Sequence, residues 1–232
     1  MIRRIATVAE MTAREIGRRR GVLVLMVLLP MAFYLVRRDT YIGQSIRFLL
    51  LGLAWAVSTA ALFAAGTGRP VEARLRLSGY RGAHLCLGRL VALWGLGLAL
   101  AAPFFAVIVV DHGDEVRLGP MAAAMALNVA VAAPFGLLVG ALVPRDLEGT
   151  LLLIILVGVQ MIADPAGTLA KAMPFWASRE IGTYAVDHVG SDYLARGIAH
   201  GVLFTAITTI GVLGFTAYRL RHRAHLRFVS SR

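Results

Sequence analysis

The sequence predicts an all-α integral membrane protein of six transmembrane helices. An amphipathic helix precedes the first span, and a basic segment separates the second from the third. Three observations lead there. Of 232 residues, 58% are hydrophobic and only 16% charged, with a mean hydropathy of +0.73; soluble domains sit nearer ~45–50% and ~25%. The apolar residues gather into long runs without charge. The formal charge of +11 comes mostly from arginines beside those runs. A basic soluble protein of this kind would point to nucleic acid. Bases flanking apolar runs point to membrane orientation instead, and no nucleic-acid partner is expected.

A helix crossing a bilayer needs about 20 apolar residues, with a range of ~17–25. Phe48–Gly68, Leu90–Val110, Leu118–Pro144 and Ile198–Tyr218 meet that requirement. Gly21–Val36 has 16 residues between Arg20 and Arg37, roughly 24 Å at 1.5 Å per residue, and snorkelling arginines at both ends make up the deficit. Gly149–Ala163 has 15 residues and stops at Asp164-Pro165. Counting both gives six spans. With the N-terminus inside, the inner flanks sum to +12 and the outer ones to −1, as the bias that sets topology requires. Arg37, Arg38 and Arg47 fall on the outer side against that bias, and the sequence gives no account of them. The first apolar run ends in LVRRD without a small-residue cleavage site, so it reads as a retained span. The single Cys86 leaves no intrachain disulfide and no cysteine zinc cluster.

Residues 1–20 are expected to lie along the cytoplasmic interface. At 100° per residue, Ile2, Ile5, Ala6, Ala9, Ala13 and Ile16 share one face, and Arg3, Arg4, Glu10, Arg14, Glu15 and Arg18 the opposite one. Such a helix sets its apolar stripe in the acyl boundary and its arginines near lipid phosphate.

Residues 69–89 form the cytoplasmic loop between the second and third spans, longer than a turn alone needs. Pro70 suits the first turn of a new helix, and Glu72 with Arg76 forms an i,i+4 pair in the favourable order. Ser78-Gly79 breaks that helix and Gly82 permits a second bend, leaving Tyr80 and Arg81 exposed. Two readings of this loop stand: a docking surface for a soluble partner, or a positive anchor facing headgroups.

Polar residues inside the spans are costly. Ser58, Thr59, Thr205, Thr208 and Thr209 read as packing glue or as side chains bonding their own backbone. Asn128 and Gln160 are candidates for lining a translocation path, with helix–helix bonding the alternative. The spans hold no Asp, Glu, Lys or Arg, which disfavours an ion relay. The chain has no H-E-x-x-H and no G-x-S-x-G. The DHGDE run at 111–115 and the cluster Asp187, His188 and Asp192 read as polar turns. No catalytic site, metal or cofactor is expected on this chain.

LRLSGYRGAHLCLGRL (75–90) resembles the first cytoplasmic loop of type-2 ABC exporter permeases, where a helix is followed by a Leu-x-x-(Ser/Thr)-Pro-x-(Ser/Arg) turn and a Leu-x-x-Gly-(Lys/Arg) start of the third span. Ser78 and Gly88-Arg89 fit; Gly79 stands where the family often has proline. The amphipathic start is similar to the family's elbow helix. MPFWASREIGTYAV (173–186), within the outer segment 164–197, resembles its short re-entrant helices before the last span. The resemblance implies a single permease domain over 1–232 that dimerises with a second copy or a sister permease. It also implies a coupling helix that docks on a separate nucleotide-binding ATPase. Glu72, Arg74, Arg76, Tyr80 and Arg81 are the residues it points to for that coupling. The chain has no G-x-x-x-x-G-K-[ST] phosphate loop, so ATP and Mg would belong to the partner. Membrane lipid is the other expected contact. The Ala-, Gly- and Arg-rich, lysine-poor composition points to a GC-rich bacterial source; the charge bias puts both termini in the cytoplasm, and the resemblance implies a bacterial cell (inner) membrane. The competing reading is a membrane scaffold or intramembrane enzyme whose basic loop is only an anchor.

Overall fold

A backbone in hydrocarbon has no water to bond, and a helix meets each amide within its own segment. A computed structural model describes residues 1–36, 38, 41–143, 145–164, 166–187 and 189–221. All regular structure among these residues is α-helical: α1 (Ile2–Arg18), α2 (Arg20–Leu35), α3 (Ile42–Leu77), α4 (Gly82–His112), α5 (Leu118–Leu142), α6 (Asp146–Ile162), α7 (Thr168–Ala172), α8 (Trp176–Val186) and α9 (Asp192–Arg221). Four of them are long and apolar enough to cross a membrane: α3 over Ile42–Gly68, α4, α5, and α9 over Asp192–Arg219. The other two expected spans are the shorter α2 and α6, of 16 and 17 residues.

α3 departs from the expected pattern. The second apolar run and the basic helix after it are one element of 36 residues, and no new helix begins at Pro70. At 1.5 Å per residue α3 is about 54 Å long, well beyond a hydrocarbon core of roughly 30 Å.

The core is built on α3 and α5, which share the most extensive contact in the fold. The sequence permits this by placing small residues at the seam. A Cβ on Gly136 would lie 2.1 Å from the Ser58 carbonyl oxygen, so only glycine lets the two backbones touch there. Ser58 is itself buried and its hydroxyl donates to the Ala132 carbonyl at 3.1 Å. Around this pair, α2 and α6 pack on α3, α9 packs on α5, and α8 fits between α3, α5 and α9. Thr205 and Thr208 bond back to their own helix, to the Gly201 and Phe204 carbonyls.

Large apolar side chains face outward on the peripheral helices: Leu25 and Leu28 on α2, Ile154 and Ile155 on α6, Leu203 and Ile210 on α9. Water-soluble monomers rarely expose contiguous apolar patches on this scale, and lipid is the solvent that suits them.

Two of the unexplained arginines find partners at the α2–α3 end of the bundle. Arg38 pairs with Asp111 at 2.7 Å, and the Tyr34 hydroxyl donates to the same carboxylate at 2.9 Å. Arg47 pairs with Asp187 at 2.7 Å and donates to the Thr183 hydroxyl at 3.0 Å. Arg37 and His188 lie outside the described residues.

Replacing Gly136 by Leu should push α3 and α5 apart and cost ~1–3 kcal/mol, the usual range for overpacking. Thermal unfolding in detergent measures it. Gly95→Ala, whose new methyl meets nothing within 4 Å, should not lower the transition and, as a helix-interior exchange of glycine for alanine, should raise it slightly.

Candidate functional site

The α3–α4 hairpin gathers most of the residues that the sequence singles out. α3 ends in a Schellman motif: the Gly79 amide donates to the Arg76 carbonyl at 2.9 Å and the Tyr80 amide to Leu75 at 3.0 Å. Gly79 holds φ +81°, where a Cβ is disfavoured. Proline, locked near −65°, does not fit. The break read at Ser78-Gly79 is thus a turn built on glycine. Helix resumes at Gly82, with Arg81 as N-cap; the Arg81 amide donates to His84 Nδ1 at 3.1 Å, which meets one of the orphan donors at the start of α4.

The hairpin is braced from both ends of the chain. Arg4 of α1 donates to the Gly79 carbonyl and lies 5.6 Å from the Tyr80 ring centroid. The Tyr80 ring in turn meets His84 edge-on at 6.4 Å. α1 seats its Val8 on Gly88 of α4, where a Cβ would fall 2.5 Å away. Its protein-facing side is therefore Val8, Thr12 and Ile16, turned from the expected stripe. Ile2 and Ala6 of that stripe stay exposed, free to meet lipid.

Glu72 is the main correction. It was expected on the coupling surface, paired with Arg76. It is instead 3% exposed, with Oε1 accepting from Arg89 of α4 at 2.8 Å and Oε2 accepting from Arg219 of α9. Arg89 reaches it across Gly68, whose missing side chain leaves the guanidinium its place. One buried carboxylate thus joins three helices. A charge at this depth is tolerated because both oxygens are paired. Arg74, Arg76 and Arg81 are exposed, whereas Tyr80, expected exposed, is half-buried.

The two candidates for a path separate. Asn128 is 1% exposed and its amide is occupied at both ends: Nδ2 donates to the Leu50 carbonyl at 2.6 Å, and Oδ1 accepts from Ser178 at 2.8 Å. It ties α5 to α3 and α8 at a closed junction. Gln160 accepts from the Phe175 amide at 3.2 Å and faces a cavity of about 100 Å³. Of the pair, Gln160 lines a cavity, whereas Asn128 has both ends of its amide bonded within the bundle. Asp187 and Asp192, read as surface polar residues, are salt-bridge partners of Arg47 and Arg196.

Sequence reasoning places Arg4 on a polar face and Arg89 at the start of the third span, but misses the contacts that they and Arg219 make. The i,i+4 rule looks only along one helix, and these contacts cross 75, 17 and 147 residues. No protein-family model matches the chain, and no characterised protein matches it in sequence.

Glu72→Ala should leave Arg89 and Arg219 facing each other in partial burial and cost ~3 kcal/mol, seen as a lower unfolding temperature in detergent. Gly79→Ala should cost about 1–2 kcal/mol from its positive φ, read in the same assay.

Proposed function

We propose that the chain is the membrane-spanning subunit of an ATP-driven exporter of the type-2 ABC kind. In this reading α2, α3, α4, α5, α6 and α9 are the six spans. α1 lies along the cytoplasmic interface, and α7 and α8 re-enter from the outer side. The inner flanks then carry +12 and the outer ones −1, in keeping with the positive-inside rule. α2 reaches only about 24 Å, and arginines at its ends make up the rest by snorkelling.

The observation that carries this reading is the hairpin. A helix outruns its apolar stretch, turns tightly, and presents Arg74, Arg76 and Arg81 to solvent. The same hairpin is braced by α1 through Arg4 and by α9 through Arg219. An anchor for headgroups needs only charge. A surface that passes force to the spans also needs rigidity and connection to them, and this hairpin has both. Its exposed face suits an acidic groove on a separate ATPase subunit, which would bring ATP and Mg. Glu72 then serves as the internal tie that holds the docking face, not as part of it. A second copy or a sister permease completes the dimer, in a bacterial inner membrane with both termini inside.

Extraction from the native membrane in mild detergent should bring down a stoichiometric soluble ATPase. The double charge reversal Arg74→Glu, Arg81→Glu should abolish that association while leaving insertion and unfolding temperature unchanged. Association retained in the double variant would sink the docking role of the hairpin. A chain that carries no ATPase even after crosslinking would favour the scaffold or intramembrane-enzyme reading.

A further inference from the structure

At the end of α3 away from the hairpin, two cavities meet across Arg47 and Arg179, which line both. The larger, about 320 Å³, is cationic, with Arg47, Lys171, Arg179 and Arg196 on its wall and Glu180 as the one carboxylate there among the described residues. The smaller, about 100 Å³, is walled on its apolar side by Phe48, Leu51, Met161 and Phe175. Met161 is exposed, and Phe48 and Leu51 half-buried, so it opens towards the apolar surface of the bundle.

Two buried donors beside these cavities lack an acceptor among the described residues, and on the wall of the larger one the Glu180 Oε2 accepts no hydrogen bond from them. Gln160 is 4% exposed, yet its Nε2 has no acceptor among the described residues. Arg47 satisfies one terminal nitrogen with Asp187 and Thr183, while its buried Nε has no acceptor among them either. Arg179 donates to the Ala163 carbonyl at 3.2 Å, and no described carboxylate lies within ion-pair distance of it or of the Lys171 ammonium. Arg196 lies within ion-pair distance of Glu180 and Asp192, each at 3.3 Å, though without a hydrogen bond to Glu180 Oε2. A buried donor without an acceptor is costly, and more so when charged. Burial already works against the Arg179 charge, lowering its pKa, and it raises that of Glu180. A ligand anion would relieve the first and be repelled least when Glu180 stays with Arg196.

We infer that this pair of cavities binds an anionic amphiphile, with a phosphate or carboxylate head between Arg47, Lys171 and Arg179 and an apolar chain leaving past Phe48, Leu51 and Met161. The Gln160 amide supplies the neutral hydrogen bond at the neck. That the amphiphile is exported cargo rests on the permease reading; that it binds does not. The head chemistry is shared by a membrane lipid and by free phosphate, and the presence of the chain tells them apart.

The test is equilibrium binding of radiolabelled lysophosphatidate to the purified full chain in neutral detergent. Unlabelled lysophosphatidylcholine, with the same chain and a masked charge, and inorganic phosphate, with no chain, serve as competitors. Both should compete at least tenfold more weakly than unlabelled lysophosphatidate. Arg179→Gln should weaken binding about tenfold or more, the scale of one lost charge-assisted hydrogen bond. Lys171→Gln changes an exposed residue of a five-residue helix, so it keeps the fold and should weaken binding severalfold. Equal competition by lysophosphatidylcholine would overturn the anion site, and equal competition by phosphate would overturn the role of the chain. Wild-type affinity in both variants would overturn the assignment altogether. None of these readouts involves an ATPase, so their failure is separate from failure of the exporter reading.

Discussion

The closeness of α3 and α5 is the constraint on which the other helices depend. Lipid is as apolar as the side chains facing it, so burial alone gives little reason for helices to associate, and close backbone contact must supply it. Gly136 at the Ser58 carbonyl provides that contact. The Asn128 amide then fixes its register by reaching the Leu50 carbonyl on α3 and the Ser178 hydroxyl on α8. With this pair set, α2 and α6 dock on one of its members, α9 on the other, and α8 on both. The peripheral helices keep their large aliphatic side chains for lipid.

Charge is confined to the two ends and organised differently at each. At the α2–α3 end, Arg38 and Arg47 each take one carboxylate, from α4 and from the residue after α8. These pairs are part exposed and add little stability individually, but they fix where α2 and α3 stand against their neighbours. At the hairpin end a single carboxylate serves two arginines under burial. Such a site is strongly destabilised when one partner goes, so it joins the three helices more firmly than surface pairs do.

What the sequence made legible was whatever is local. The uncharged runs, the break at Ser78-Gly79 and the amphipathic start all follow from neighbours within a turn or two, and each corresponds to an element or a boundary. Pro70 misled because a proline that opens a helix and one that lies within a longer helix have the same neighbours on the C-terminal side. Glu72 was read with Arg76, four residues on, because one-helix periodicity offers no view of Arg219. The stripe of α1 was centred by hydrophobicity alone, whereas its docking face is set by the gap that Gly88 leaves for Val8. Asn128 and Gln160 looked alike as polar residues in apolar runs. Their difference lies in the neighbours of the folded bundle, with Ser178 closing over one and a cavity left beside the other.

The tie at Glu72 also orders the birth of the molecule. Arg89 follows Glu72 by 17 residues and is available as soon as the hairpin has formed. Arg219 follows by 147, which at ~5–20 residues per second is a delay on the order of ten seconds of synthesis. Through that interval the carboxylate holds one arginine and waits with its second oxygen unclaimed. The tie is complete only when α9 is in place, so the hairpin end of the bundle registers that the helices between α4 and α9 have been made.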